Sequence, residues 1–103
     1  MKYIVLDFSG IKSQEQLYDY FEKVFDLPDY FGRNMDALWD CLLFWYDSET
    51  TIILKNVNTL PSNLLWLAEI MLTLFDDLQN EDENITVQIE NAEDDEVNDD
   101  YLI

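Results

Sequence analysis

The residues with the most chemistry to offer lie in the run LPDYFGRNMDALWDCL, positions 27–42. Asp36 and Asp40 are four apart there, Asn34 stands two residues before the first of them, and Tyr30, Phe31 and Trp39 bring aromatic surface to both. On a helix, residues four apart are surface neighbours with Cβ atoms about 5–6 Å from each other. A carboxylate pair at that spacing can hold a divalent cation, divide acid and base roles, or face the cationic groups of another molecule. Its ordinary structural reading is a solvated, acidic helix start. Such a pair costs an isolated helix about 0.2–0.5 kcal/mol. The positive end of the helix dipole offsets part of this at Asp36 and less at Asp40, one turn further in.

The rest of the chain speaks against catalysis. It contains no histidine, so neither a Ser-His nor a Cys-His arrangement is available, and its two glycines cannot build a phosphate-cradling loop. The acidic run EDDEVNDD lacks the spacing and the central glycine of a calcium loop. A metal-dependent hydrolase built on Asp36, Asp40, Asp76 and Asp77 is therefore the weaker reading, and no cofactor is expected. Against 23 acidic residues stand only 5 Lys and Arg, a formal charge of -18. That field repels nucleic acid and anionic membrane, and it favours a basic partner: a cationic protein, a metal ion or a surface that otherwise binds nucleic acid.

The carboxylate pair needs a frame. With 103 residues, 49% hydrophobic and 15% aromatic, the chain can bury one core, and the expected organisation is one domain over 1–90 followed by a mobile acidic tail over 91–103. The single cysteine, Cys41, allows no intramolecular disulfide and fits a reducing compartment. The apolar run at 64–75 is broken by Glu69 and is shorter than the roughly 18 residues of a membrane span, and the first ten residues lack a signal-peptide pattern. A cytoplasmic protein, monomeric when free, is expected.

Hydrophobic periodicity gives the elements. A buried strand is expected at 3–8, then a helix capped by Ser13, with Leu17, Tyr20, Phe21, Val24 and Phe25 on one face, ending near 27–28. A second helix at 34–45, capped by Asn34, turns Met35, Leu38, Trp39, Leu42, Leu43 and Trp45 to the core. Asp36 and Asp40 fall on the other side. Gly32 is expected to permit a sharp turn, one of Tyr30 and Phe31 to face inward, and Arg33 to set a positive charge within the loop. A central strand follows at 50–55, then a long helix at 62–78 capped by Ser62 and deeply packed on most sides, then a strand at 84–90. Trp39, Trp45 and Trp66 read as core residues. This order implies an α/β fold: a small parallel sheet of three strands, joined by crossovers and packed with helices.

The run LPDYFGRNMDALWDCL closely resembles the central motif of the barstar family, intracellular inhibitors of barnase-type ribonucleases. The order of elements over 1–90 agrees with that family's three-stranded parallel sheet. The resemblance implies that Tyr30, Asn34, Asp36, Trp39 and Asp40 line a surface that enters the cleft of a basic, secreted or toxin-type ribonuclease in a 1:1 complex. Asp40 would be the main anchor, at the site of the substrate phosphate. Asp77 matches a late acidic contact on the last long helix, with Asp76 adjacent. The family's role implies a protein inhibitor or immunity protein; an acidic mimic of nucleic acid that blocks another protein is the alternative.

Overall fold

The computed structural model describes residues 2–43 and 48–91. The elements are β1 (Lys2–Asp7), α1 (Gln14–Phe25), α2 (Met35–Leu43), β2 (Thr50–Lys55), two 3-10 turns (Val57–Thr59 and Ser62–Leu64), α3 (Leu65–Glu81) and β3 (Ile85–Glu90). The strands form one parallel sheet in the order β1-β2-β3. β2 is central, as its β-branched sequence TTIILK leads one to expect, since a strand paired on both edges gains most from stiff, apolar side chains.

Alternation along the strands separates the two faces of the sheet. Leu6, Ile52 and Leu54 are buried with the helices, while Tyr3 and Val5 point to the opposite, open face. In register, Ile52 stands between Ile4 and Val87, and Leu6 beside Leu54. Phe21 of α1 sits at the centre of the core, with its ring 6.3 Å from those of Phe8 and Phe25 and 6.5 Å from Phe75 of α3. One aromatic residue thus joins the first helix to β1 and to the last helix.

Local rules account for most helix ends. Ser13 caps α1, its hydroxyl accepting the Gln16 N–H at 3.1 Å. The helix stops at Phe25, slightly before the proline, because Asp26 takes the left-handed conformation (φ 52°) and its N–H returns to the Glu22 carbonyl. At α3 the expectation is corrected. Ser62 is no side-chain cap; α3 is entered through a 3-10 turn in which the Leu64 N–H donates to the Pro61 carbonyl at 2.8 Å, and Leu65 donates to the Ser62 carbonyl. Such i→i+3 bonds occupy the first donors, so the hydroxyl is not needed.

α3 is also less deeply packed than its composition suggests. Leu67, Ala68, Met71, Leu74, Phe75 and Leu78 form one buried stripe, whereas Leu65, Trp66 and Ile70 face outward. Trp66 is therefore not a core residue. The cause is geometric: a stripe at spacings of three and four fills one side of a helix, and apolar residues between those positions have nowhere to go but out. Trp45 and residues 92–103 of the acidic tail lie outside the described residues. Among the described residues no helix is long and apolar enough to cross a membrane.

Candidate functional site

The loop between α1 and α2, residues 26–34, is held at several points. Pro28 starts a turn, its carbonyl accepting the Phe31 N–H at 2.9 Å. Phe31 inserts into the core, only 6% exposed, with its ring 6.1 Å from that of Tyr18 in an edge contact. Burial pushes the Tyr18 phenol above its ordinary pKa. Tyr30, next in the chain, is 86% exposed. The two aromatics thus divide as expected, one anchoring the loop and one offered to solvent.

Arg33 does what the sequence did not suggest. Its backbone is left-handed (φ 54°), and its guanidinium turns back onto α1. There it donates to the Asp19 carboxylate at 2.8 Å, to the Glu22 carboxylate and to the Glu15 carbonyl at 3.1 Å. The bond to Asp19 foremost, then Glu22, holds the group still more firmly in its charged form than an ordinary arginine. The positive charge expected within the loop is therefore neutralised locally and acts as a clamp. The planar fork of arginine suits this task, since one side chain reaches three acceptors.

Gly32 is needed for a different reason than expected. It does not occupy the left-handed region; a Cβ there would instead stand 3.3 Å from the Ala37 Cβ and 3.4 Å from Asn34 Nδ2. The absent side chain lets the loop lie against the first turn of α2. Asn34 is the N-cap of that helix, its Oδ1 accepting the Ala37 N–H at 2.8 Å while its Nδ2 donates to the Gly32 carbonyl at 3.2 Å. Both ends of the amide are thus committed to holding loop and helix together, each with capacity left for one further bond.

On this frame, Met35, Leu38 and Leu42 are buried, Trp39 and Cys41 are half-buried against the core, and Asp36 and Asp40 are exposed. The carboxylates are on the side that the helical period assigned to them. They open onto different hollows. Asp36 and Trp39 line one of 360 Å³ between α2 and α3, with Asp77 and Glu69 from α3 on its other wall. Asp40 lines a second with Tyr30 and Cys41. The register of α3 puts Asp77 at the hollow, while Asp76 accepts a hydrogen bond from Gln79 at 3.1 Å. Among the described residues no group of three or more His, Cys, Asp or Glu side chains is placed to hold a metal ion.

Sequence reasoning missed two things here: the clamp formed by Arg33, Asp19 and Glu22, and the contribution of α3 to the hollow through Glu69, Ile70 and Thr73. The three-residue spacing of Asp19 and Glu22 on α1 was the available signal for the first. The physical arrangement is a rigid acidic and aromatic face with α2 at its centre. It can pair with several cations at once, and Arg33 in the adjoining loop is engaged by α1.

Comparison with known proteins bears on the family. The family model described as "Barstar (barnase inhibitor)" matches residues 1–92. A protein of Bacillus subtilis (strain 168), called "Putative ribonuclease inhibitor YrdF", is 38% identical over 81 residues, which is 79% of this chain and 89% of that protein.

Proposed function

The chain belongs to the barstar family, and from that premise we propose that it is a ribonuclease inhibitor that occludes the active site of a basic, barnase-type ribonuclease in a 1:1 complex. The observation that carries this reading is the exposed carboxylate pair on a helix whose start is clamped by Arg33, Phe31 and the Asn34 cap. A ribonuclease binds a phosphodiester, so its cleft is lined with cationic groups, and fixed carboxylates can take the place of phosphate oxygens there. Preorganisation matters because the entropy of ordering a loop would otherwise oppose binding.

In this reading Asp40 occupies the phosphate site and pairs with the enzyme's cations. Tyr30 shares its hollow and offers ring surface at the edge of the contact. Asp36 and Asp77 act together from the two walls of the other hollow, which Trp39 also lines. Asn34 contributes first by holding the helix start, and its remaining hydrogen-bonding capacity faces the partner. Residues 1–90 form the inhibitory domain, and the acidic tail that follows extends the negative field that steers a cationic enzyme. Protection of the producing cell, in its cytoplasm, from a secreted or delivered ribonuclease is the purpose such a protein serves. Its own chemistry is binding, not turnover.

The experiment is a titration of the protein against barnase and a panel of other basic secreted bacterial ribonucleases, following RNA cleavage. Stoichiometric 1:1 inhibition of at least one enzyme is expected. No inhibition across the panel, or equal inhibition of unrelated DNA-binding enzymes, would refute the assignment.

A further inference from the structure

Next to the carboxylates, α3 carries apolar surface that a free domain has no use for. Trp66 and Ile70 are four apart on one side of the helix and are 53% and 46% exposed. They line a hollow together with Asn34, Met35 and Asp36 of the α2 start. That hollow shares Met35, Asp36 and Ile70 with the one that holds Trp39 and Asp77, so the apolar patch is continuous with the acidic face. The indole N–H of Trp66 already donates to the Asn63 carbonyl at 3.0 Å, which fixes the ring and leaves its apolar surface as the part on offer.

We propose that the footprint of the ribonuclease runs past the carboxylates, Asp77 of α3 included, onto the first turns of α3, where an apolar side chain on the rim of the enzyme's cationic cleft seats between Trp66 and Ile70. This rests on the reading above, that the α2 face docks into a ribonuclease. Continuity argues for that occupant, because whatever covers Trp66 and Ile70 must also lie over Asp36. Charge argues against a second copy of this chain, since each copy carries -18. Glu69, on the same helix and lining the adjoining hollow, asks for a basic surround to the apolar group. The two halves of the footprint then divide the work. Carboxylates draw the enzyme in and make association sensitive to salt; the patch excludes water and slows departure.

The test uses Trp66→Ala, Ile70→Ser and the double variant against whichever enzyme of the panel the wild-type protein inhibits most tightly, with rates read at low and physiological salt. Trp66→Ala should raise Kd by about 10-fold or more, a typical effect of losing an aromatic anchor. The change should lie in faster dissociation, with the association rate and its salt dependence as in wild type. Ile70→Ser guards against loss of the Trp66–Asn63 bond as the cause, and urea melts of all variants should match wild type. A double variant that inhibits with wild-type Kd removes Trp66 and Ile70 from the footprint and overturns the proposal. A wild-type dimer in sedimentation that Trp66→Ala dissolves would also overturn it, by making the occupant a second copy. If wild-type protein inhibits no enzyme at all, the reading beneath fails, and this proposal with it.

Discussion

At the start of α2 the chain is tied down by directional bonds: Asn34 caps the helix with its own side chain, Arg33 reaches three acceptors on α1, and Gly32 lies against Ala37. At the start of α3, a short distance across the same hollow, the helix is entered through a 3-10 turn with no side-chain cap, and Trp66 and Ile70 face solvent. The first region presents charge and the second presents apolar surface. Pairing with cations is short-ranged and geometric, so a misplaced carboxylate loses most of its value, whereas apolar contact is non-directional and tolerates small displacements. Stiffening is found where charge must be placed.

The sharpest way to break this comparison is to remove the charge itself. Asp40→Ala should cost the complex about 2–5 kcal/mol or more, because the enzyme's phosphate-site cations would be left buried and unpaired. The fold should be intact or slightly more stable, since Asp40 is exposed, lies beside like-charged Asp36, and is replaced by the best helix former. A urea melt beside a ribonuclease titration reads both. Collapse of the fold would place Asp40 on the wrong side of its helix.

Loosening the clamp without touching the acidic face comes next. Arg33→Ala should weaken inhibition by about 10-fold through lost preorganisation, and hydrogen exchange should quicken for the amides of residues 29–37. Arg33→Lys should restore only part of this, because a point charge cannot reach Asp19, Glu22 and the Glu15 carbonyl together. Gly32→Ala should act in the same direction by displacing the Asn34 cap, at about 0.5–2 kcal/mol of stability. Unchanged exchange in Arg33→Ala would show that Phe31 and the Asn34 cap suffice to fix the loop.

A smaller effect separates field from contact. Association should slow as salt rises and the Debye length shrinks from about 30 Å at 0.01 M to about 8 Å at 0.15 M. Deleting 91–103 should lower the association rate modestly and leave dissociation unchanged; a marked rise in dissociation would make the tail part of the contact.

The smallest effect serves as a control away from both regions. Asp7, at the end of β1, accepts hydrogen bonds from Asn56 Nδ2 at 2.8 Å and from the Ser9 amide and hydroxyl at 3.0 and 2.8 Å. The Asn56 bond first, then those from Ser9, hold its carboxyl below the ordinary carboxylate range. A folded-state pKa lowered in this way adds stability that is fully present above the unfolded value of about 3.9 and is lost as pH falls through the folded value. Urea midpoints of wild type and Asp7→Asn should therefore differ at neutral pH and converge as pH drops below about 4, with inhibition equal in the two proteins. A gap of constant size from neutral pH down through the acid range would assign the effect to packing and not to ionisation.

The parts of this molecule legible in the sequence are those set by neighbours along the chain. The caps at Ser13 and Asn34, the central place of TTIILK and the outward side of Asp36 and Asp40 follow from spacings of four residues or fewer. Arg33 was opaque because its partners lie 11 to 18 residues away on another helix. Trp66 was misplaced because a helix rich in apolar residues on every side gives periodicity nothing to discriminate. Asp76 and Asp77 differ by about 100° around α3, and only the packing of α3 against α2 decides which of them lines the hollow.

If the α2 carboxylates take the place of substrate phosphate, a nucleotide in the enzyme's phosphate site must compete with the inhibitor. The inhibited ribonuclease is saturated with a mononucleotide that fills its phosphate site, ionic strength is held constant, and binding of the wild-type protein is titrated. Apparent Kd should rise in proportion to nucleotide concentration, as two ligands for one site require. An apparent Kd that does not move with nucleotide would contradict it, and would place the protein elsewhere on the enzyme.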